Sequence, residues 1–420
     1  MQQIFDNLRR YNCWDGNLFP IGFQRNEYLN NIVNYLDNRL IKVLVGQRRT
    51  GKSYLLRQII KLLIEEKRVN PKNVFYFNNE FIGFDKIRSA TDLDTLFMFY
   101  KSEIKPEGKI YIFLDEIQNV ESWEKFVNSY SQDFTNDYEL FITGSNSKLL
   151  SGELATQLSG RFVEFHVFPF SFHEYCNYKK SDINRDNFIK YLKTGGLPEM
   201  LHLEGEEIKR HYVESLKNTI ILRDIVERYK IKDVQLLEDI FGFLIANAGN
   251  LTSLTSLVKY FKSKLRKTNY ETLSTYVSYL KDTFLIHEAS RYQLRGKEKL
   301  SGQRKYYLND LAFKNYLSGY YPFDIGYNLE NFIYLQLRIS GYKVSVGIIN
   351  GKEIDFVAEK GEETKYFQVS YVMNDKSTID REYSNLLLVK DNFRKYVVSL
   401  DEIKFSGYKG IEHLWPWEVK

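Results

Sequence analysis

The chain has 420 residues, and its 43% of hydrophobic and 27% of charged residues are typical of a folded protein with roughly two to four domains. The net charge of +5 is too small to indicate nucleic-acid binding by itself, and the two cysteines, Cys13 and Cys176, predict neither a disulfide framework nor a metal site. Because the N-terminal stretch lacks an apolar signal core and no window is long enough for a membrane span, we expect a cytoplasmic protein without a membrane partner.

From about residue 20 to residue 170, short apolar runs alternate with amphipathic segments such as KSYLLRQIIKLLIEE. Runs that are apolar on both faces and alternate with helical patterns predict a parallel sheet covered by helices on both sides. A glycine-rich loop follows the first run, so the pattern indicates a nucleotide-binding core. The predicted strands are residues 41–46, 73–78, 110–116, 138–145 and 161–169.

The loop after the first strand reads GQRRTGKS and fits the phosphate-loop pattern G-x-x-x-x-G-K-[ST]. In such a loop, backbone N–H groups and a helix N-terminus face the phosphates of a nucleotide. Lys52 has the position that reaches the β- and γ-phosphates, and Ser53 has the position that ligates Mg²⁺. The sequence therefore predicts ATP and Mg²⁺ as cofactors. The predicted nucleotide-binding residues are Gly46, Gln47, Arg48, Arg49, Thr50, Gly51, Lys52, Ser53 and Tyr54.

Two acids end the third apolar run, IYIFLDE. Asp115 is predicted to bind Mg²⁺ together with Ser53, because a carboxylate at this strand end lies near the metal of a phosphate-loop protein. Glu116 is predicted to polarise the attacking water as a general base. With Lys52, these acids are the main catalytic candidates, and the adjacent Glu116 favours a hydrolase over a passive nucleotide binder.

Two further candidates follow the acids along the chain. In FITGSNS, one of Thr143, Ser145 or Asn146 is in position to hold the γ-phosphate or the water, and we include Asn146 among the catalytic candidates. A strand-to-turn transition rich in Ser and Asn explains these residues equally well. In LSGR, Arg161 is a candidate arginine finger supplied to a neighbouring subunit, the alternative being an ordinary surface arginine.

The middle of the chain is predicted to be helical. Residues 171–228 have helical patterns broken at KTGGLP, and three more helices follow, the last one opening with a capping box at Thr268. A predicted hairpin with a basic loop comes next, and three helices followed by such a hairpin describe a winged helix-turn-helix. The last hundred residues predict a small α/β domain whose final strand is NLLLVK.

The motifs GQRRTGKS, FLDEIQ, ITGSN, LSGR, FPFSFHEY and GGLPEM resemble, in this order, those of prokaryotic AAA+ ATPases of the archaeal type. Members of that family join an ATPase core to a winged helix and a C-terminal domain similar to restriction endonucleases. The resemblance spans nearly the whole chain. It implies an α/β multi-domain fold, with an AAA+ core at 1–170, a helical lid at 171–228, a winged helix at 229–320 and a PD-(D/E)xK-like domain at 321–420. It also implies catalytic roles for Lys52, Ser53, Asp115, Glu116 and Arg161.

Positive charge is concentrated in the predicted winged helix. The segment KYFKSKLRK holds five cations and no acid, and the hairpin that follows adds others among tyrosines. Such a footprint is typical of contact with the phosphates of DNA, directed at shape or backbone rather than at base sequence. The alternative is a solvated basic face on a protein-interaction module. The DNA-binding candidates are Lys259, Lys262, Lys264, Arg266, Lys267, Arg295, Lys297 and Lys299.

The C-terminal domain lacks one residue that the nuclease resemblance requires. Glu330 and Asp355 match metal carboxylates, but the D/E-x-K position reads Gln368-Val369-Ser370, and a serine cannot replace the lysine that orients water or stabilises charge. The sequence therefore predicts a degenerate nuclease site, with Glu330, Asp355 and Gln368 as its remnants, in a domain without nuclease activity.

We expect an Mg²⁺-dependent ATPase that remodels or translocates duplex or branched DNA. A finger acting between subunits implies a homo-oligomer such as a hexameric ring. Two alternatives stay open: a slow, ATP-held switch, as in regulatory or defence proteins, and a metal nuclease regulated by ATP, against which Ser370 argues. The sequence does not exclude a protein as the remodelled substrate.

Overall fold

The computed structural model describes residues 1–147, 158, 160–296, 298–319, 324–373 and 376–420, without the side chain of Lys299. It divides into two compact units, Met1–Val167 and Phe168–Lys420. Within these described ranges, no helix is long and apolar enough to cross a membrane.

The first unit is built on a sheet of five parallel strands, counted over its described residues, in the order β2-β3-β4-β1-β5. Four of these strands are buried along their whole length, because most of their side chains are apolar on both faces and helices cover both sides. The predicted parallel sheet is therefore confirmed. The strands are β1 (Ile41–Val45), β2 (Val74–Asn78), β3 (Ile110–Asp115), β4 (Tyr138–Gly144) and β5 (Phe162–His166).

The helices of this unit begin at recognisable caps. Ser89 and Asp92 form a reciprocal capping box at the start of α4. The helix after β1 begins instead at Gly51, whose φ of +96° lies in the left-handed region that glycine tolerates. The described helices are α1 (Gln2–Arg10), α2 (Asn26–Val33), α3 (Lys52–Glu65), α4 (Ala90–Ile104) and α5 (Trp123–Ser131).

In the second unit, the helices between residues 206 and 317 share one apolar core. The third helix of the predicted winged helix is capped by Asn269, whose side chain accepts the N–H of Thr272, so the predicted cap at Thr268 is wrong by one residue. A π-helical segment, Ile220–Glu227, continues α8. The described helices are α6 (Phe172–Lys179), α7 (Arg185–Thr194), α8 (Glu206–Thr219), α9 (Val234–Ala246), α10 (Leu254–Ser263), α11 (Tyr270–Asp282), α12 (Leu311–Leu317), α13 (Ile325–Ile339) and α14 (Lys376–Leu387).

A mixed sheet completes the second unit, with seven strands among the described residues, in the order β12-β11-β10-β9-β8-β6-β7. The hairpin predicted as a wing, β6–β7, joins this sheet because β6 pairs in parallel with β8. The run NLLLVK is not a strand, since its first residues end α14. The strands are β6 (Ile286–Gln293), β7 (Glu298–Leu308), β8 (Lys343–Ile349), β9 (Lys352–Lys360), β10 (Glu363–Val369), β11 (Arg394–Val398) and β12 (Ile411–Leu414).

The glycine turn of the GGLPE motif is held by one buried carboxyl group. Asp310 Oδ2 accepts the N–H of Gly196 at 2.8 Å, and its Oδ1 accepts the N–H of Ala312 at 2.8 Å. A Cβ atom on Gly195 would lie 2.0 Å from Asp310 Oδ1, so the turn requires glycine there. Burial raises the pKa of Asp310 to about 7, although the backbone N–H groups oppose the shift.

The pKa of Asp310 predicts a pH-dependent stability. Because the folded pKa is about 7 and the unfolded value is near 4, folding takes up a proton between these pH values. The contribution of Asp310 to the free energy of unfolding should then fall by at most about 4 kcal/mol as the pH rises from about 4 to about 7. Urea unfolding of the wild type and Asp310→Asn across this range measures the difference. A difference that does not change with pH would contradict the prediction.

Candidate active site

The phosphate loop connects β1 to α3, at the carboxyl end of the parallel sheet. Gly46 leaves β1 with a φ of +157°, and a Cβ atom there would lie 2.2 Å from the carbonyl oxygen of Val167. Only glycine fits this approach of two backbones. Thr50 is buried, and its hydroxyl donates to the carbonyl oxygen of Gln47 at 2.9 Å, which closes the loop on itself.

Lys52 lies at the centre of the loop. Its Nζ donates to the carbonyl oxygens of Gly46 at 2.9 Å and Gln47 at 3.1 Å, and it lies 3.6 Å from Glu116 Oε1. The side chain is almost completely buried. The predicted lysine and the predicted base thus face each other across the space beside the loop.

Asp115 ends β3 and is fully buried among donors. Its Oδ1 accepts the hydroxyl of Thr143 at 2.5 Å, and its Oδ2 accepts Tyr76 Oη–H at 2.8 Å and Asn78 Nδ2–H at 2.9 Å. Burial, followed by the charge of Glu116, raises the pKa of Asp115, although hydrogen bonds that include one from Ser53 lower it.

The residues predicted to bind Mg²⁺ lie together. A hydrogen bond joins the side chains of Ser53 and Asp115, so a hydroxyl and a carboxylate oxygen meet beside the loop. Oxygen donors of this kind suit a hard divalent cation, and a carboxyl group whose pKa is raised by burial would gain a counter-charge from one. The donor set therefore fits Mg²⁺, bound jointly with phosphate oxygens. Among the described residues, no cluster of three acidic, histidine or cysteine side chains is arranged as a metal site by itself.

Glu116 is held in an ionised state and in a fixed position. Burial would raise the pKa of Glu116, but the charge of Lys52, a hydrogen bond from Gln118 and the charge of Arg48 outweigh burial and lower it. Gln118 Nε2 donates to Glu116 Oε2 at 2.5 Å, and the backbone N–H of Glu116 donates to Thr143 Oγ1 at 2.9 Å. A charged, oriented carboxylate beside Lys52 has the properties of a general base.

The end of β4 clarifies the choice among Thr143, Ser145 and Asn146. Thr143 contacts both acids through its hydroxyl, and Ser145 Oγ lies 3.5 Å from Gln118 Nε2. Asn146, the candidate preferred from the sequence, is fully buried at the same strand end. Thr143 therefore orders the two acids, and the role of Asn146 stays a prediction.

Four contributors to the site were missed in the sequence. Tyr76 and Asn78 reach Asp115 because β2 lies beside β3, with Asn78 in register with Asp115. Gln118 bonds the base, and a polar residue two positions after an acid pair is a weak sign of such a contact. Arg25 is buried, and its Nη1 donates to the carbonyl oxygen of Thr50 in the phosphate loop at 3.2 Å. Nothing near Arg25 in the sequence indicates this contact.

Arg161 lies at the opposite end of the sheet from the phosphate loop. Its carbonyl oxygen accepts the N–H of Ile41 at 2.9 Å, at the beginning of β1, and its side chain is exposed. The loop follows the other end of this five-residue strand, roughly 15 Å away at about 3.3 Å per residue. Arg161 therefore does not reach the phosphate loop of its own chain.

The DNA-binding candidates differ in their exposure. Arg266 is half-buried, and its Nη2 lies 2.6 Å from Asp239 Oδ2. Lys297 lies outside the described residues, as does the side chain of Lys299. The remaining candidates present exposed side chains: Lys259, Lys262, Lys264, Lys267 and Arg295. Most of the predicted basic surface thus belongs to α10 and the turn after it, residues 259–267, which we call the basic segment.

In the second unit, the predicted degenerate site contains an unpredicted lysine. Lys305, from β7, places its Nζ 2.8 Å from Glu330 Oε1 and 2.8 Å from Glu353 Oε1. We call Lys305, Glu330, Glu353 and Asp355 the lysine–carboxylate cluster. Burial opposes the charge of Lys305, but the three carboxyl groups outweigh it and raise its pKa. Lys365, a lysine of β10, bonds Tyr342 and Glu363 instead.

The charge of Lys305 also affects Asp355. It lies at a bulge, where Asp355 and Phe356 together face Val346 of β8, and its Oδ2 accepts the N–H of Val369 at 2.8 Å. Burial and the charge of Glu330 raise the pKa of Asp355 well above its ordinary value, and Lys305 opposes them. Gln368 is buried on the next strand, and in the described part of the chain no hydrogen bond joins its side chain to this cluster.

The sheet order and the loop geometry of the first unit match a phosphate-loop fold of the AAA+ type. Residues 38–176 match a family model described as an AAA domain, and residues 185–324 match one described as a domain of unknown function. The chain is 34% identical to an uncharacterized protein from Haemophilus influenzae over 93% of its own length and 96% of that protein. It is 30% identical to one from Methanocaldococcus jannaschii over 90% and 88%. The chain belongs to the family of these proteins, whose members it matches almost from end to end.

Two solved structures match a large part of the chain at low similarity. The Orc1 protein of Aeropyrum pernix, in complex with DNA, is 14% identical, with 71% of this chain and 94% of that chain covered at a TM-score of 0.33. Cdc6p from Pyrobaculum aerophilum is 14% identical, with coverage of 68% and 90% at a TM-score of 0.30. TM-scores this low transfer no property to this chain.

Proposed function

We propose that the protein hydrolyses ATP with Mg²⁺ and couples the hydrolysis to DNA bound by its second unit. The observation that carries the ATPase part is the arrangement of Lys52, Asp115 and Glu116 around the phosphate loop. Lys52 holds the β- and γ-phosphates, and Ser53 with Asp115 holds Mg²⁺, which neutralises charge on the phosphates. Glu116, ionised and fixed by Gln118, accepts a proton from the attacking water.

Arg161 supports an oligomer in this proposal. Because it lies at the far end of the sheet from its own phosphate loop, it can act on a nucleotide only when a second copy brings the two together. A ring such as a hexamer is one closed arrangement in which each copy supplies a finger to the next.

The DNA part rests on the basic segment. Lys259, Lys262, Lys264 and Lys267 are exposed within nine residues that contain no acid, and in the proposed winged helix they contact the phosphates of DNA. Such contacts read shape and charge rather than base sequence, so branched or duplex DNA is the proposed substrate class.

The decisive experiment is steady-state ATP hydrolysis without DNA and with single-stranded, duplex or four-way-junction DNA. The proposal expects one DNA form to raise turnover several-fold. A low basal rate that no DNA changes would instead support the ATP-held switch. Lys52→Ala serves as the control that removes nucleotide binding.

Charge reversal tests the DNA surface separately. Lys259→Glu, Lys262→Glu and Lys264→Glu combined should weaken duplex binding strongly and reduce the slope of log K against log salt by about 2 to 3, because each lost phosphate contact removes about 0.9. Fluorescence anisotropy over a salt series measures both quantities. The matched control reverses three exposed lysines of the first unit, Lys67, Lys86 and Lys105. Equal losses in both triple variants would show that net charge, not this surface, controls binding.

The nuclease alternative gains one observation and remains the weaker reading. Lys305 supplies a cation near Glu330 and Asp355, whereas the D/E-x-K position of the sequence, residues 368–370, has no lysine. Yet its Nζ is already paired with Glu330, one of the two carboxylates that a metal would use, and with Glu353. We therefore propose the C-terminal domain as a docking module. Mg²⁺-dependent DNA cleavage abolished by Asp355→Ala would reverse this assignment.

A further inference from the structure

Besides Lys52, the phosphate loop carries a second cationic side chain that is largely buried. Arg48 lies two residues after Gly46, and its Nη1 is 3.1 Å from Glu80 Oε1 and 3.4 Å from Glu80 Oε2. The two side chains are largely shielded from solvent, with 12% and 27% of their surfaces exposed. An ion pair this shielded is stronger than one on an open surface.

Hydrogen bonds connect Glu80 to Asp115 through Asn78. The backbone N–H of Glu80 donates to Asn78 Oδ1 at 2.8 Å, and Asn78 Nδ2 donates to Asp115 Oδ2 at 2.9 Å. Glu80 therefore stands at the edge of the site, beside the end of β2, and it holds Arg48 on that side.

Arg48 also acts on the base through its charge. Its charge is among those that lower the pKa of Glu116, together with that of Lys52. In a phosphate-loop ATPase, the γ-phosphate lies between the loop lysine and the water that the base activates. A loop cation that acts on Glu116 therefore also acts on the position of the γ-phosphate.

We propose that Arg48 is an arginine supplied in cis to the γ-phosphate, and that Glu80 is the carboxylate that releases it when ATP binds. This inference rests on the proposed ATPase function. ADP lacks the γ-phosphate, so the exchange of Glu80 for phosphate makes the loop distinguish ATP from ADP. A guanidinium suits both partners because it forms bidentate contacts with carboxylate and phosphate alike.

Equilibrium binding of Mg²⁺–ADP and of a Mg²⁺-bound non-hydrolysable ATP analogue tests this role without turnover. Arg48→Ala should raise the Kd of the analogue by roughly 10- to 100-fold relative to that of ADP, as expected for one lost charge-assisted hydrogen bond. Glu80→Gln should lower the Kd of the analogue about 3-fold or more and leave that of ADP unchanged, because it removes a competitor for Arg48. In the double variant the effect of Glu80→Gln should disappear.

Arg49→Ala is the matched control, since Arg49 is the exposed neighbouring cation of the same loop. It removes the same charge and should change both affinities alike. Equal losses for ADP and the analogue in Arg48→Ala, or weaker analogue binding in Glu80→Gln, would overturn the inference. A wild type that binds neither nucleotide would overturn the proposed function itself, which separates the two failures.

Discussion

Replacing Glu116 by Gln is expected to lower steady-state ATP turnover by about 10²- to 10⁴-fold, the usual contribution of a general base. Nucleotide binding should persist, because Lys52 and the loop backbone hold the phosphates and do not depend on the carboxylate. The amide keeps the size of the side chain but cannot accept the proton of the attacking water. Turnover and nucleotide binding measured on the same preparation distinguish this outcome from misfolding.

Lys52→Ala provides the contrast, since it should lose both binding and turnover. Wild-type turnover in the Glu116→Gln variant would contradict the role of Glu116 as base.

The pH profile of turnover tests the ionised state of Glu116 separately. Because Lys52, Gln118 and Arg48 together lower the pKa of Glu116, its base form persists below the usual glutamate range. Gln118→Leu removes one of these contributions and should move the acid limb of turnover to higher pH.

Replacing Lys305 by Met is expected to reduce the free energy of unfolding by about 3–5 kcal/mol, as for the removal of one partner from a buried ion pair. Lys305 compensates Glu330, Glu353 and Asp355 in the interior of the second unit, and methionine fills a similar volume without the charge. The loss leaves carboxylates buried without a counter-ion. Urea unfolding monitored by circular dichroism measures the effect.

Two variants sharpen this prediction. Lys365→Met removes a lysine of the same sheet whose partner Glu363 is half-exposed, so it should cost less than about 1 kcal/mol. Adding Glu330→Gln to Lys305→Met should restore part of the lost stability, since it removes one uncompensated charge. Equal effects of Lys305→Met and Lys365→Met would show that the lysine–carboxylate cluster is not an internal ion-pair centre.

The first unit was predictable because its signals are local. Strands buried on both faces read as continuous apolar runs, and the phosphate loop places Gly46, Lys52 and Ser53 within eight consecutive residues. Asp115 and Glu116 were found in the same way, as the polar end of an apolar strand. Short-range patterns of this kind do not require knowledge of which strands are neighbours.

The second unit was harder because its signals are not local. The run NLLLVK fits a strand or the end of a helix, and Leu386 turns out to face the core from the last turn of α14. The hairpin was expected to stand as a wing, yet backbone pairing of β6 with β8 places it in the C-terminal sheet. Backbone hydrogen bonds between distant strands leave no mark in side-chain patterns.

The sequence by itself located the phosphate loop and its two acids, because residue types and their spacing along the chain are enough to recognise them. Tertiary structure alone decided what surrounds it. Tyr76 and Asn78 reach Asp115 only because β2 lies beside β3, and Arg48 meets Glu80 across 32 positions of the chain. Lys305 enters the lysine–carboxylate cluster from 25 positions before Glu330. Such partners are chosen by proximity in space, which residue spacing does not encode.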